Sequence, residues 1–544
     1  MEEFCQNQKI LRKKVQTGLA TRAFLPLLFF LRFINGTWLV LDRDYPSYFR
    51  SVILIGLIVA LWLGYKWFFE KHPVKTGLEI PLSLFFIALI LSTFFSDNLS
   101  LSLEKLVGAG VYVFAIYIFL DIKRNPVFWQ GLINALLITA GISALVSLIP
   151  VYFWLDVFHI QIHEIIPNLA YVLNIIPRIP DFMNLHHSVT AGYIVVMLPL
   201  GYYQLIKSKK IFWKIVLGFW LLLNLVVLFL TKTRGGLLGL GTLGLAVLVV
   251  ERHRIYDFLT KNRFRIFLFF LLLISGLFGS IFFFWKTRGF SLTGGTMLVR
   301  YQAWLSVLNS FGEHPFFGTG LGTFGVEYLN FRNPEINAGT MIHAHNQVLQ
   351  ILGELGILSL FALGFVCYRC TSLVRKQFVP NEENFFSKIS FYAMAGLFGV
   401  LIPDAIFTCS MIVLLVIFYL TGTLPPQKIT SQKNKRLIFI PLTIWAVLLA
   451  LGAGWTTWKI KPYHQAVKAA ESQSWAETTA QLKIAANRDP ENPFYDHALG
   501  YSQGQAACSK GQSYQVALKS YQKSLKTYQA WGVEHANAGV LSAK

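Results

Sequence analysis

Three short stretches combine cations, histidines and glycines in a chain that is otherwise strongly apolar. The first is Thr231-Lys232-Thr233-Arg234-Gly235-Gly236, which puts two cations directly after a long apolar run. Cations at that depth are costly and normally mark a functional path or a paired site. A planar guanidinium fork suits the oxygens of a diphosphate, and paired glycines let the backbone approach a ligand closely. The plain structural alternative is an arginine that snorkels to lipid headgroups. The second stretch is LVRYQAWLSVLNSFGEHPFFGTGLGTFG, residues 298–325. There Arg300, Trp304 and Leu308 share one helix face at i, i+4 and i+8, with Tyr301 beside them. His314-Pro315 ends that helix, and Gly318, Gly320, Gly322 and Gly325 make a flexible turn. GTGLG looks superficially like a phosphate-binding loop, but no strand precedes it and no lysine follows, so a nucleotide site is not expected.

The third stretch is Ile342-His343-Ala344-His345-Asn346, at the mouth of a long apolar helix with Glu354 two to three turns further in. Imidazole titrates near neutrality and is suited to act as a general base. A His-x-His pair is also a metal motif in outline. Residues two apart on a helix point away from each other, however, and no third ligand is near, so metal is not expected. His159 and His163 lie four apart and His186-His187 are adjacent; satisfied or solvated roles are expected for them.

Helices in a membrane must position these groups. Of 544 residues, 54% are hydrophobic, 15% aromatic and only 14% charged, against about 25% charged in an ordinary soluble domain. That composition excludes a soluble enzyme and a disordered scaffold. The apolar runs lack the alternation of an outer-membrane barrel. They are expected at 23–41, 51–69, 78–95, 106–120, 127–149, 186–206, 211–231, 236–250, 266–285, 347–368, 386–402, 405–421 and 437–457. The pair at 386–421 is split only by Pro403-Asp404, as a broken or re-entrant element would be. The fold class read from this is all-α: a polytopic helical membrane protein of 12–13 spans.

The net charge of +21 sits mostly in alternate short loops, which places the N-terminus in the cytoplasm and the C-terminal segment on the opposite side. No nucleic-acid partner is expected. Five cysteines form neither a disulfide framework nor a zinc set, and the polar N-terminal segment reads as uncleaved. Three domains follow: a cytoplasmic segment 1–22; a transmembrane domain 23–457 with long extracytoplasmic loops at 150–185 and 286–346; and a soluble helical region 458–544. In that last region, 478–500 and 515–539 look alike and resemble tetratricopeptide helix-turn-helix units; a plain helical hairpin is the alternative.

TKTRGG, then VRYQAW…HPFFGTGLGTF, then HAHNQVLQILGELG resemble, in order and spacing, the bacterial O-antigen ligase and polymerase superfamily, over about 230–360. The resemblance implies a GT-C-like inner-membrane enzyme that moves a glycan from an undecaprenyl diphosphate carrier to a glycan, lipid or protein acceptor, with no metal and no cofactor. It implies catalytic roles for Arg234, Arg300 and His345, with Thr233 standing where serine is common and His343 as an additional histidine. Lys232, His343, Asn346, Tyr301, Trp304 and Glu354 are the candidate substrate-binding residues, with packing support the expected role of Glu354 and orientation of the histidine its alternative. The C-terminal repeat is a candidate surface for a protein partner. Two rivals stay open from the residues alone: a flippase or transporter of lipid-linked oligosaccharide, and a membrane-anchored scaffold.

Overall fold

In a computed structural model, the described residues are 77–157, 187–260, 295–333, 341, 343–375, 385–404, 410–424, 435–490, 492–510 and 513–527. They form helices and connections, with no strand among them. The expected spans at 23–41, 51–69 and 266–285, most of the loop 150–185, His159, His163 and His186, and the two cysteines Cys5 and Cys409 lie outside the described residues. Cys367, Cys370 and Cys508 are free thiols.

In chain order the helices are α1 (Glu79–Phe94), α2 (Leu99–Lys123), α3 (Pro126–Val157), α4 (His187–Lys207), α5 (Ile211–Leu230), α6 (Arg234–Val250) and α7 (Arg252–Thr260). There follow α8 (Gly295–Glu313), α9 (Phe324–Phe331), α10 (Gln347–Arg375), α11 (Phe385–Leu401) and α12 (Ser410–Thr423). The last four are α13 (Lys435–Glu471), α14 (Trp475–Arg488), α15 (Pro493–Lys510) and α16 (Gln515–Thr527). Among the described residues, five helical stretches are long and apolar enough to cross a membrane: Leu99–Lys123, Pro126–Ile149, His187–Lys207, Ile211–Leu230 and Gln347–Leu373. Glu79–Phe94, Arg234–Val250, Phe385–Leu401 and Ile412–Thr423 are shorter apolar helices. The protein is thus an all-α, multi-pass membrane protein. Several helices outrun the apolar pattern: α2, expected at 106–120, spans Leu99–Lys123, and α3, expected to end at 149, continues to Val157 into the stretch expected as a loop. The run expected at 437–457 continues as α13 to Glu471, carrying the chain unbroken past residue 458.

The chain divides into two compact units. One draws on Ala115–Gly294 and Cys370–Pro426. Its centre is α4, buried from Ser188 to Gly201, against which α5, α6 and α11 pack. Trp220 Nε1 donates to the Leu137 carbonyl at 2.9 Å, tying α5 to α3, and Tyr419 donates its hydroxyl to the Val196 carbonyl at 2.7 Å, tying α12 to α4. Small residues let α6 and α11 approach closely: a Cβ on Gly239 would lie 2.5 Å from Val400 Cγ2 and 2.8 Å from the Gly396 carbonyl oxygen.

The other unit draws on Val40–Phe114, Gly295–Arg369 and Gln427–Lys544. Its core gathers Ala303 and Val307 of α8, Phe324, Val326 and Tyr328 of α9, and Met341 and Ala344. In the same unit α13, α14, α15 and α16 pack each on its successor. Ala466, Leu482 and Leu499 form one small core there, and Ala485, Ala486 and Tyr495 another. The break between α14 and α15 falls after Arg488, and α15 begins at Pro493.

Candidate functional site

Three devices in the second unit place the His343–Asn346 loop. Asn346 caps α10: its Oδ1 accepts the Leu349 amide at 3.0 Å, and its own carbonyl accepts the Gln350 amide at 2.9 Å. From α8, Trp304 packs against the core and donates its indole N–H to the Ala344 carbonyl at 2.9 Å. From inside α10, Gln350 Oε1 accepts the Ala344 amide at 2.7 Å. Ala344 is fully buried, so the histidines on either side are carried by a pinned peptide. His345 follows at φ 50°, in the left-handed region that non-glycine residues avoid. Both His343 and His345 are half-buried.

Arg300 lies one turn before Trp304 on α8, on the same helix face, and is half-buried, whereas Tyr301 is 53% exposed. The helix is fixed to α9 and the residues just past it by side chains that meet backbone carbonyls: Ser306 Oγ donates to Tyr328 and Asn309 Nδ2 to Phe331 of α9, and Gln302 Nε2 to Asn333 beyond its end. Arg300 therefore sits on an anchored scaffold, one turn from the residue that holds the histidine loop.

Glu354 is the hub beneath. Its Oε1 accepts Gln350 Nε2 at 2.6 Å and the Phe324 amide at 3.2 Å; its Oε2 accepts the Gly322 amide at 3.0 Å. Lys105 of α2 supplies the facing positive charge. Two residues on, Gly356 has φ 69° and ψ −177°, and α10 kinks. The kink frees the carbonyls before it and the amides after it. The loop 315–320 takes up both: Thr319 and Gly320 donate to Gly353 and Glu354 at 3.0 and 2.9 Å, and Ile357 donates back to Pro315 at 3.0 Å. This explains GTGLG. Gly318, Gly320 and Gly322 all have positive φ, and a Cβ on Gly318 would meet the Glu354 carbonyl at 2.4 Å. The loop's amides meet helix oxygens, which is a structural plug rather than a phosphate cradle.

Lys232 and Arg234 belong to the first unit. Thr233 is the N-cap of α6, its Oγ1 accepting the Gly236 amide at 3.2 Å, so threonine performs what serine would. Lys232 has φ 49° and is 8% exposed; burial lowers its ammonium pKa below the ordinary lysine value. A Cβ on Gly235 would lie 2.7 Å from Asp404 Oδ2, so the glycine lets the helix end approach that buried carboxylate. From sequence, Asp404 is read only as part of the Pro403-Asp404 break between two apolar runs, not as a site residue. Its signal was present as an acid in an apolar run.

A second omission is the group around Asp97 and Glu327. Glu327, 7% exposed on α9, is pushed up to about 7 by burial and by Asp97, against the hydrogen bond from Asn330. Burial also raises Asp97; His314, 3.6 Å away, opposes this and Glu313 adds to it. Among the described residues, no group of three or more His, Cys, Asp or Glu is placed to hold a metal ion.

Comparison with known families places residues 218–364 in a match to the family described as O-Antigen ligase. That range takes in TKTRGG, all of α8 and α9, the histidine loop and the kink of α10. No curated protein matches the chain.

Proposed function

We propose, from the premise that residues 218–364 make this chain a member of the O-antigen ligase superfamily, that it is an inverting membrane glycosyltransferase. Membership carries glycan transfer at a membrane with a lipid-linked donor and an acceptor in general. The finer assignment is a donor on undecaprenyl diphosphate, an acceptor hydroxyl on a glycan, lipid or protein, and reaction on the extracytoplasmic face of the inner membrane without metal. The N-terminus then lies in the cytoplasm, and the helical region 458–544 outside it offers a surface to a protein partner.

The observation that supports this best is the anchorage of His345. A base must be held, and His345 sits in a strained backbone state between a pinned peptide and a helix cap, one peptide from the residue that Trp304 grips. In the proposed reaction, the acceptor oxygen attacks the anomeric carbon, its proton passes to His345, and the carbon–oxygen bond to the diphosphate breaks. A single displacement inverts the anomeric centre. Arg300 and Arg234 offset the negative charge that grows on the departing diphosphate. Lys232 adds charge for binding. Tyr301, exposed on α8, is a stacking surface for sugar, and His343 and the Asn346 amide contact the acceptor. The roles of Trp304 and Glu354 are chiefly supportive, given their hydrogen bonds to Ala344, Gln350, Gly322 and Phe324.

Purified protein given a polyprenyl-diphosphate glycan and a panel of acceptors should release free polyprenyl diphosphate in step with glycosylated acceptor. Transbilayer movement of intact donor without any release would instead make the protein a transporter.

A further inference from the structure

The peptide that carries His345 is gripped by a residue outside the roles assigned above, Gln350. Gln350 is 4% exposed and Glu354 8%, so water does not readily replace either. The Ala344 amide can only donate, so the Gln350 carboxamide must turn its oxygen toward it, at 2.7 Å. The NH2 end must then meet an acceptor, and Glu354 Oε1 stands 2.6 Å from Nε2. Glu354 is itself held, by the Gly322 and Phe324 amides and by the facing charge of Lys105. The chain of contacts leaves the carboxamide one orientation and the Ala344 amide one partner.

Trp304 grips the same residue through its carbonyl. With amide and carbonyl of Ala344 both fixed, the torsions that lead into His345 are fixed from one side, and the Asn346 cap fixes them from the other. A residue at φ 50° relaxes toward ordinary backbone unless its surroundings over-determine it. We infer that Gln350 is a positioning residue for the transfer reaction: it holds His345 in its left-handed conformation through the Ala344 amide, and Glu354 locks the carboxamide that does so. This rests on His345 being the base, as proposed above. Gln350 touches neither donor nor acceptor; its effect reaches the reaction through the imbalance of a displaced imidazole, where a shift of about 1 Å can cost about 100-fold in rate.

The test compares kcat and donor KM in the full-length protein for Gln350→Met, which keeps length and volume but loses both hydrogen bonds, and for Gln350→Glu, which keeps an acceptor for Ala344 but sets a second carboxyl against Glu354 where the donor stood. Gln350→Met should lower kcat by about 10- to 100-fold while donor KM stays within about threefold. Gln350→Glu, which loses the donor that Glu354 locks, should lower kcat as well, and the unchanged donor KM certifies that both variants are folded. A Gln350→Met protein with kcat within threefold of wild type, or one whose KM rises as kcat falls, overturns the positioning role. His345→Ala run alongside separates the two claims. If it is inactive while Gln350→Met is normal, only the positioning role falls; if it is fully active, the base assignment falls with it.

Discussion

A left-handed histidine costs on the order of 1–3 kcal/mol of backbone strain, and His345 bears that cost between two hydrogen-bonded neighbours. Its residue type was legible in the sequence, as were Arg234 and Arg300, because a base and two guanidinium groups stand out in an apolar chain. Glu327 was not, because its character depends on burial rather than on spacing. Glu327 yields a prediction with a definite sign. Its pKa in the fold, about 7, lies above the ordinary value of 4.5. The folded protein therefore holds a proton that the unfolded chain has already released between those values, and stability falls as pH rises through that window. Glu327→Gln should remove the fall, leaving the variant more stable above about pH 7 by up to about 3 kcal/mol and similar to wild type near pH 4. Thermal unfolding in detergent across that range checks it, and parallel pH dependences for both proteins would refute the assignment.

At the scale of elements, hydropathy located helices well and their interruptions poorly. The runs expected at 211–231 and 386–402 appear as Ile211–Leu230 and Phe385–Leu401 because apolar length alone sets them. The kink at Gly356 and its filling by 315–320 were hidden, since they are a tertiary exchange of backbone partners between segments some 40 residues apart. The glycines of α6 separate close packing from mere composition. Gly239→Ala would push a methyl against Val400 and the Gly396 carbonyl, and should cost about 1–3 kcal/mol. Gly241, two residues on and exposed, has nothing within 4 Å of such a methyl, so Gly241→Ala should not lower the melting temperature. Equal effects of the two changes would contradict the close approach of α6 to α11.

At the scale of the whole molecule, the long α13 is held by charges buried within the second unit. Lys459, 2% exposed, lies 3.0 Å from Asp489 Oδ2 and 3.8 Å from Glu104 Oε2, donates to Ser100 Oγ at 2.6 Å, and stands over the Trp455 ring. The ammonium thus joins α13 to α2 and to the end of α14, just past the apolar run that sequence alone delimits. Lys459→Met leaves two buried carboxylates facing one another without it, and should destabilise the protein by about 3–5 kcal/mol. Adding Asp489→Leu should recover part of that loss, and calorimetry of the single and double variants measures it. A single variant as stable as wild type would show that the network carries no weight.

The measurement that bears most directly on the proposed reaction is single-turnover transfer by purified His345→Ala, with donor binding followed in the same preparation. Donor affinity should stay close to wild type, since the proposed reaction has the diphosphate held by the arginines rather than by His345, while the rate of polyprenyl diphosphate release falls by about 10²–10⁴-fold. Release at the wild-type rate, from a protein with normal donor affinity, would contradict the assignment of His345 as the base.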